Sequence, residues 1–309
     1  MQFPKEIKAF LAGKGETASV YKSGPGAAAF LAASCLDAGR SVSLTVPGMA
    51  ELTRLQSLLS LLLPVEGVPF WRRPWMALPS YTPGAPVQTF WAKRWAFLHV
   101  AAMGDGPRIL LFAADNFLPK WPEKKLLEEN SLFIAKGEEL SQELILEQAV
   151  AWGYRRTPLV TAPGEISSRG DILDIFPPGY DAPARLEFFG DVIEDIRLFD
   201  PAAQRSLEDV EELLLLPVVP AVLTGPVKDK AAAWWDKLSG VGELHKNARL
   251  ALWAKLEAMD GTIWPGLCSP NPAAFEDWLP KDRVSILFNA SQLRARIEEN
   301  AFAWKQFLD

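Results

Sequence analysis

The sequence predicts an α/β fold in which a layer of alternating strands and helices carries an inserted, smaller α+β domain with an antiparallel sheet. Before residue 131, apolar strand-like runs alternate with helix-like segments, an order typical of a parallel sheet covered by helices. Between residues 158 and 200, short β-runs are divided by Pro-Gly, Arg-Gly, Pro-Pro-Gly and Gly-Asp turns, which indicates antiparallel pairing. A further strand and helix close the chain, and we infer that they return to the first layer.

The first part of the chain supplies the elements of the α/β layer. Gly24-Pro25 gives a sharp entry to the second helix and Gly39 a stop, while Pro64 ends the third helix. The segment 71–86 is rich in proline and aromatic residues and is predicted to be an extended surface loop. Helices are predicted over 5–12, 25–38, 49–63 and 87–103, and strands over 41–46, 65–70 and 108–113.

The remaining elements define the predicted domain boundaries. A helix over 141–152 can be capped by Ser141 and ended by Gly153. The other predicted elements are a strand over 132–135, helices over 228–238 and 241–259, a strand over 284–288 and a helix over 291–307. We therefore predict a first part of the α/β domain at 1–130, an inserted domain at 131–216 and a return segment at 217–309.

Composition indicates a globular chain. A length of 309 residues with 49% hydrophobic and 23% charged residues is enough for two or three domains with their own cores. The best candidate for a membrane span, 55–65, is too short, and the first residues lack the apolar core of a signal peptide. Cys35 and Cys268 are therefore expected to be reduced thiols, and the expected location is the cytoplasm.

The charge pattern favours a protein partner over nucleic acid. The formal net charge is −6, whereas a general nucleic-acid binder usually carries a basic face. Residues 161–207 hold four arginines against nine acidic residues, so a phosphate backbone would be repelled on average. A few arginines in an acidic field suit a specific protein partner, for which charge fixes orientation and association rate.

The run ARLEFFG, residues 184–190, contains the residues of interest for such a partner. On a strand, Leu186 and Phe188 point to one face and Arg185, Glu187 and Phe189 to the other. An exposed aromatic beside an arginine is typical of protein interfaces. The alternative is that both faces are covered and Phe189 belongs to the core, and periodicity by itself favours this second reading.

Catalytic and metal-binding patterns are weak. The two histidines, His99 and His245, are far apart and have no Cys or carboxylate at metal-ligand spacing. Asp171 and Asp174 resemble an acid pair, but a turn followed by a strand favours solvated carboxylates at a turn and a sheet edge. We expect no catalytic residue, no metal and no cofactor.

An aromatic cluster in the predicted loop offers a second possible function. Such side chains can stack on single-stranded bases, but the prolines among them favour packing onto the α/β layer. The cluster comprises Phe70, Trp71, Trp75 and Tyr81, with Arg72 and Arg73 beside them.

An ordered set of short motifs runs across residues 163–206. It consists of Pro163-Gly164-Glu165, RGDILDIFP from Arg169 to Pro177, RLEFFGD from Arg185 to Asp191, IRLFD from Ile196 to Asp200, and Gln204-Arg205-Ser206. This set resembles the signature shared by bacterial transcription-repair coupling factors and the excision-repair helicase UvrB, where it marks a small domain that binds UvrA. The resemblance to the N-terminal, UvrB-like part of the coupling factor covers most of the chain and is weakest after about residue 225.

The resemblance implies a function. Arg169, Arg185 and Phe189 match the family's UvrA-contacting residues, and Glu187 shares their predicted face and can orient Arg185. The chain would recruit UvrA and so link stalled RNA polymerase to nucleotide excision repair. The full-length parent would be a longer DNA translocase. It would bind RNA polymerase and double-stranded DNA through other domains and mask the UvrA surface with its own C-terminal domain.

The resemblance also implies a degenerate, helicase-like layer of the P-loop type. UvrB-like helicases carry GxxxxGK[ST], whose glycines and lysine hold phosphates. Here Gly24 and Gly26 remain, but Ala27 and Ala28 stand where Lys and Ser/Thr are needed. The last predicted strand is followed by Asn289-Ala290 and not by an acidic pair. We therefore expect no ATPase activity. The alternative is a divergent UvrB-type DNA-binding and ATPase module.

Overall fold

The computed structural model describes residues 23–78, 80, 87–219, 222, 254 and 271–308. These residues divide into two compact units. The first draws its described residues from 1–81, 100–118 and 275–309, and the second from 82–99 and 119–274. The helices predicted over 5–12 and 228–238 lie outside the described residues, as does the helix predicted over 241–259 except for residue 254. Tyr81, His245 and Cys268 also lie outside them.

The first unit contains a four-stranded parallel sheet. Its strands are β1 (Ser41–Val46), β2 (Trp75–Leu78), β3 (Ile109–Ala113) and β12 (Arg283–Leu287), in the order β12-β1-β3-β2. Strand β1 pairs with both β12 and β3. Because β1 and β3 are central, both are buried on their two faces. Strand β3 is apolar throughout, whereas β1 alternates Val42, Leu44 and Val46 with serine and threonine side chains.

Helices cover this sheet. Helices α1 (Pro25–Asp37) and α2 (Met49–Leu62) pack on one face through a core that includes Ala29, Leu55, Leu44 and Ile109. On the other face, the ring of Phe112 makes T-shaped contacts with those of Phe117 and Phe275. The remaining helical segments of this unit are a 3-10 turn (Phe70–Arg72), another (Ala114–Phe117), α6 (Phe275–Trp278) and α7 (Ala290–Leu308).

One strand of this sheet was assigned to the wrong segment. The strand predicted over 65–70 is absent from the described structure, and β2 forms within the predicted loop 71–86. Trp75 and Leu78 are buried, and the Trp75 indole N–H donates to the Leu63 carbonyl at 2.9 Å. Strand β2 therefore forms because its side chains are buried and its backbone pairs with β3, although prolines lie on either side of it.

The second unit is built on a six-stranded, largely antiparallel sheet in the order β10-β9-β8-β7-β6-β5. Only the short pair β5–β6 runs parallel. The strands are β5 (Arg155–Arg156), β6 (Glu165–Arg169), β7 (Ile172–Ile175), β8 (Ala184–Phe189), β9 (Val192–Phe199) and β10 (Ser206–Asp209). A separate antiparallel pair is formed by β4 (Leu132–Ala135) and β11 (Glu212–Leu215).

The core of the second unit lies on one face of the six-stranded sheet. Ile166, Leu173, Leu186 and Ile196 point into it from four successive strands. The helices of this unit are α3 (Val87–Met103), which also contributes residues to the first unit, α4 (Lys124–Glu128) and α5 (Gln142–Ala151). Helix α5 packs Ile145 and Ala149 into the same core.

The ends of α5 only partly follow the prediction. Ser141 occupies the N-cap position, but its side chain makes no capping hydrogen bond. At the other end, Gly153 adopts a φ of 90°, and the N–H of Tyr154 bonds back to the Ala149 carbonyl at 3.0 Å. A residue with a β-carbon is strained at this φ, so the glycine ends the helix as expected.

The mixed α/β class with parallel and antiparallel sheets is confirmed. The helicase-like character of the first layer and the boundaries at 130/131 and 216/217 remain predictions. Cys35 is a buried free thiol. Among the described helices, none combines the length and apolarity that a membrane crossing requires.

Candidate functional site

The six-stranded sheet has a second face, opposite its core, which we call the outer face. Strand register defines it, because residues directly opposite each other point the same way. The first row across the sheet is Arg169, Ile172, Glu187 and Asp195. The second row is Ser167, Asp174, Arg185, Arg197 and Asp209. The predicted site residues Arg169, Arg185, Glu187 and Phe189 therefore lie together on this face.

Phe189 is the most exposed apolar side chain of the outer face. It is 75% exposed and pairs across the hairpin with Val192, which is 38% exposed. This overturns the reading, favoured by periodicity alone, in which Phe189 belongs to the core. Alternation fixes which face a residue occupies, but it does not decide whether another element covers that face.

The β8–β9 hairpin that carries Phe189 is held in place by the segment before α5. The Leu140 N–H donates to the Asp191 carbonyl at 2.7 Å, and the Ile193 N–H donates to the Glu138 carbonyl at 3.0 Å. Gly190 occupies the turn with a φ of 62°, which favours glycine. The exposed ring therefore projects from a hydrogen-bonded backbone and not from a free loop.

Arg185 is anchored within the sheet by Asp174 on the neighbouring strand. Its Nε donates to Asp174 Oδ1 at 2.7 Å and its Nη2 to Oδ2 at 2.8 Å, which is a bidentate ion pair. Its guanidinium carbon lies 4.8 Å from the centre of the buried Phe199 ring. The hydrogen bonds to Asp174 raise the pKa of Arg185, against the opposing effect of burial.

Asp174 is the functional neighbour that the sequence did not reveal. The sequence predicted a solvated carboxylate, whereas Asp174 is buried and ion-paired. Register places Asp174 directly opposite Arg185. The only available signal was that both residues are polar in otherwise apolar strands. Because the connection 176–183 is eight residues long, the sequence does not determine which residues of the two strands lie opposite each other.

Glu187 has a different partner from the one predicted. Its carboxylate accepts a hydrogen bond from Arg197 and is not the group that holds Arg185. Arg197 Nε lies 3.3 Å from Asp195 Oδ2, and Lys136 Nζ donates to Asp195 Oδ1 at 2.8 Å. Arg197 is thus committed to neighbouring carboxylates within the protein.

Arg169 stands apart from these pairs. It ends β6, is exposed, and precedes the turn at Gly170, whose φ is 59°. Within the described part of the chain it forms no ion pair, so its charge is available to a partner. It lies two strands from Glu187, about 10 Å across the sheet, since neighbouring strands are about 4.8 Å apart.

The degenerate nucleotide loop lies at the start of α1. Gly24 is the N-cap and Pro25, which has no N–H, follows it. The N–H groups of Ala27 and Ala28 point to the Gly24 carbonyl at 3.1 and 3.4 Å. Neither alanine offers a side-chain group for phosphate or magnesium.

The other candidate sites are closed. Phe70, Trp71 and Trp75 are each no more than 8% exposed, so they pack inside the first unit and cannot stack on bases. His99 is buried. Among the described residues there is no group of three or more His, Cys, Asp or Glu side chains placed to hold a metal.

Comparison with known proteins identifies the region that bears the outer face. Residues 132–219 match the family model described as "UvrB interaction domain". A transcription-repair-coupling factor from Myxococcus xanthus is 36% identical over 147 residues, which is 47% of this chain and 12% of that protein. The factor from Escherichia coli (strain K12) is 35% identical over 144 residues, 46% of this chain and 12% of that protein.

A third relative extends the match along the chain. The transcription-repair-coupling factor of Haemophilus influenzae is 32% identical over 195 residues, which is 62% of this chain and 17% of that protein. The matched part of the chain thus spans less than a fifth of each relative's length. The family resemblance is confirmed: residues 132–219 match a UvrB interaction domain, and the chain is similar to part of the transcription-repair-coupling factors at 32–36% identity.

Proposed function

We propose that the outer face of the six-stranded sheet binds UvrA, and that the chain is the UvrA-recruiting module of a transcription-repair coupling factor. The observation that carries the proposal is Phe189, an aromatic ring 75% exposed on a hydrogen-bonded hairpin, with Arg185 on the same strand and face. Binding hot spots are enriched in aromatic and arginine side chains that become buried at the centre of an interface. The match to a UvrB interaction domain supports the same reading.

The three proposed contact residues have different chemical roles. Phe189 supplies the apolar anchor. Arg185, whose charge is compensated by Asp174, supplies directional hydrogen bonds. Arg169, which is exposed, supplies a charge that guides association. Phe189 lies four positions from Arg185 along β8, about 13 Å, so one partner surface can reach all three.

The module itself is proposed to be non-catalytic. The loop at Gly24 and Gly26 has lost the side chains that hydrolysis needs, and the acidic pair after the last strand is missing. In the full-length parent, other domains would contact RNA polymerase and double-stranded DNA, and a C-terminal domain of the same protein would mask the outer face. The chain would then bring UvrA, in the bacterial cytoplasm, to a stalled transcription complex.

The test is binding to immobilised UvrA with a charge-matched pair of variants. Arg169→Ala removes a charge from the outer face, whereas Arg156→Ala removes an arginine that is also exposed from the edge strand β5. We expect Arg169→Ala to lower the association rate about threefold to tenfold and to weaken its salt dependence, because a charge at an interface rim acts mainly on association. Arg156→Ala should leave both unchanged.

Two results would refute the proposal. The first is no binding of the wild-type chain to UvrA at low salt. The second is an equal loss for Arg169→Ala and Arg156→Ala, since that would point to general electrostatic attraction and not to the outer face.

A further inference from the structure

We infer that Asp174 is a positioning residue for partner recognition: it holds the guanidinium of Arg185 so that Nη1 alone is presented to UvrA. The inference rests on the proposed function and adds a residue that does not itself need to touch the partner. Asp174 is only 8% exposed, so its carboxylate is nearly closed to a partner surface and can act only through its neighbour.

The first step is the geometry of the pair. Asp174 on β7 lies directly opposite Arg185 on β8, and both carboxylate oxygens accept from it, at 2.7 and 2.8 Å. A bidentate pair fixes the plane of the guanidinium as well as its position. Because both residues belong to interior strands of the sheet, the backbone beneath the pair is held by hydrogen bonds on both sides.

The second step is the support around the guanidinium. Gln204 Oε1 accepts a hydrogen bond from Arg185 Nη2 at 3.3 Å, and the side-chain Nε2 of Gln204 donates to the Pro201 carbonyl at 2.8 Å. Gln204 has a φ of 55°, an uncommon conformation for a residue other than glycine, asparagine or aspartate. Below the guanidinium lies the ring of Phe199, 4.8 Å from its carbon. Each of these contacts favours one orientation of Arg185.

The third step is a count of donors. A guanidinium has five N–H groups. The Nε group and those of Nη2 point to Asp174 and Gln204, while no described group accepts from Nη1. A partner acceptor must therefore approach Nη1. Since Asp174 compensates the charge of Arg185, this contact depends on direction, in contrast to the unpaired charge of Arg169.

A double-mutant cycle on UvrA affinity tests the inference. Asp174→Asn preserves the shape but replaces one acceptor oxygen by an NH2 group, which cannot accept from Nε or Nη2. We expect it to weaken binding about tenfold in the wild-type background and less than about twofold in an Arg185→Ala background, because a residue that acts through another loses its effect when that residue is absent. Asp171→Asn, an equal charge change at the exposed turn, is the matched control and should not weaken binding.

Folding is followed by circular dichroism and thermal unfolding of every variant. If Asp174→Asn does not fold, Gln204→Ala replaces it in the cycle, and its smaller loss should also vanish without Arg185. Equal losses in both backgrounds, or unchanged affinity in the wild-type background, would overturn the positioning role alone. Absence of binding by the wild type would overturn the proposed function and the positioning role together.

Discussion

Replacing Phe189 by alanine should weaken UvrA binding without destabilising the domain. Fully burying a phenylalanine side chain stabilises by about 1.5–3 kcal/mol. Phe189 is 75% exposed in the free chain, so most of that gain is still available to a complex. The loss on truncation should be about 1–2 kcal/mol, or about a 5- to 30-fold increase in Kd.

The assay is calorimetric titration of UvrA, paired with thermal unfolding. Because the ring makes little contact in the free chain, the midpoint of unfolding should hardly move, as for most surface substitutions. Leu144→Ala is the matched control, since Leu144 is 58% exposed on α5, which packs on the core side of the sheet. An unchanged Kd for Phe189→Ala, or an equal loss for Leu144→Ala, would refute the reasoning.

Two further predictions concern stability. Burial opposes ionisation of Glu165, but hydrogen bonds from the N–H groups of Thr161 and Ala162 and from Arg155 outweigh it and lower the pKa of Glu165. The ionised Glu165 carboxylate therefore stabilises the folded state at pH values above the ordinary glutamate pKa, and this contribution is lost as the pH falls through the lowered pKa. In urea unfolding, Glu165→Gln should lower the free energy of unfolding by about 1–3 kcal/mol at pH 7 and by much less in acid. An equal cost at both pH values would contradict this. Trp75→Ala should cost about 3–5 kcal/mol, because Trp75 is a buried β-strand residue. A loss below about 1 kcal/mol, measured by the same method, would instead fit a surface loop.

The order of polar and apolar residues along the chain predicted the strands whose formation depends on which of their own faces are buried. The apolar run of β3 and the β-branched and apolar residues of β1 indicate strands buried on both faces, and the alternation in β8 indicates a strand buried on one face. Strand β2 was missed because its segment is punctuated by prolines, and only its pairing with β3 makes it a strand.

The candidate site was predictable in its residues but not in its contacts. The motif identified Arg169, Arg185 and Phe189, and alternation placed the last two on one face. The partner of Arg185 depends on how β7 and β8 are aligned, which a long connection leaves undetermined in the sequence. The exposure of Phe189 depends on whether another element packs on the outer face, and the alternation within β8 carries no information about that.

The most direct test of the central claim compares two double variants in a calorimetric titration with UvrA. Arg169→Ala/Phe189→Ala removes the free charge and the exposed ring from the outer face. Arg156→Ala/Leu144→Ala removes the same kinds of side chain from the edge strand and α5. We predict saturable binding for the wild type and for the second variant, and for the first a Kd that is higher by about 15- to 300-fold, the product of the two single effects. Undiminished binding by the first variant, or none by the wild type, would contradict the account.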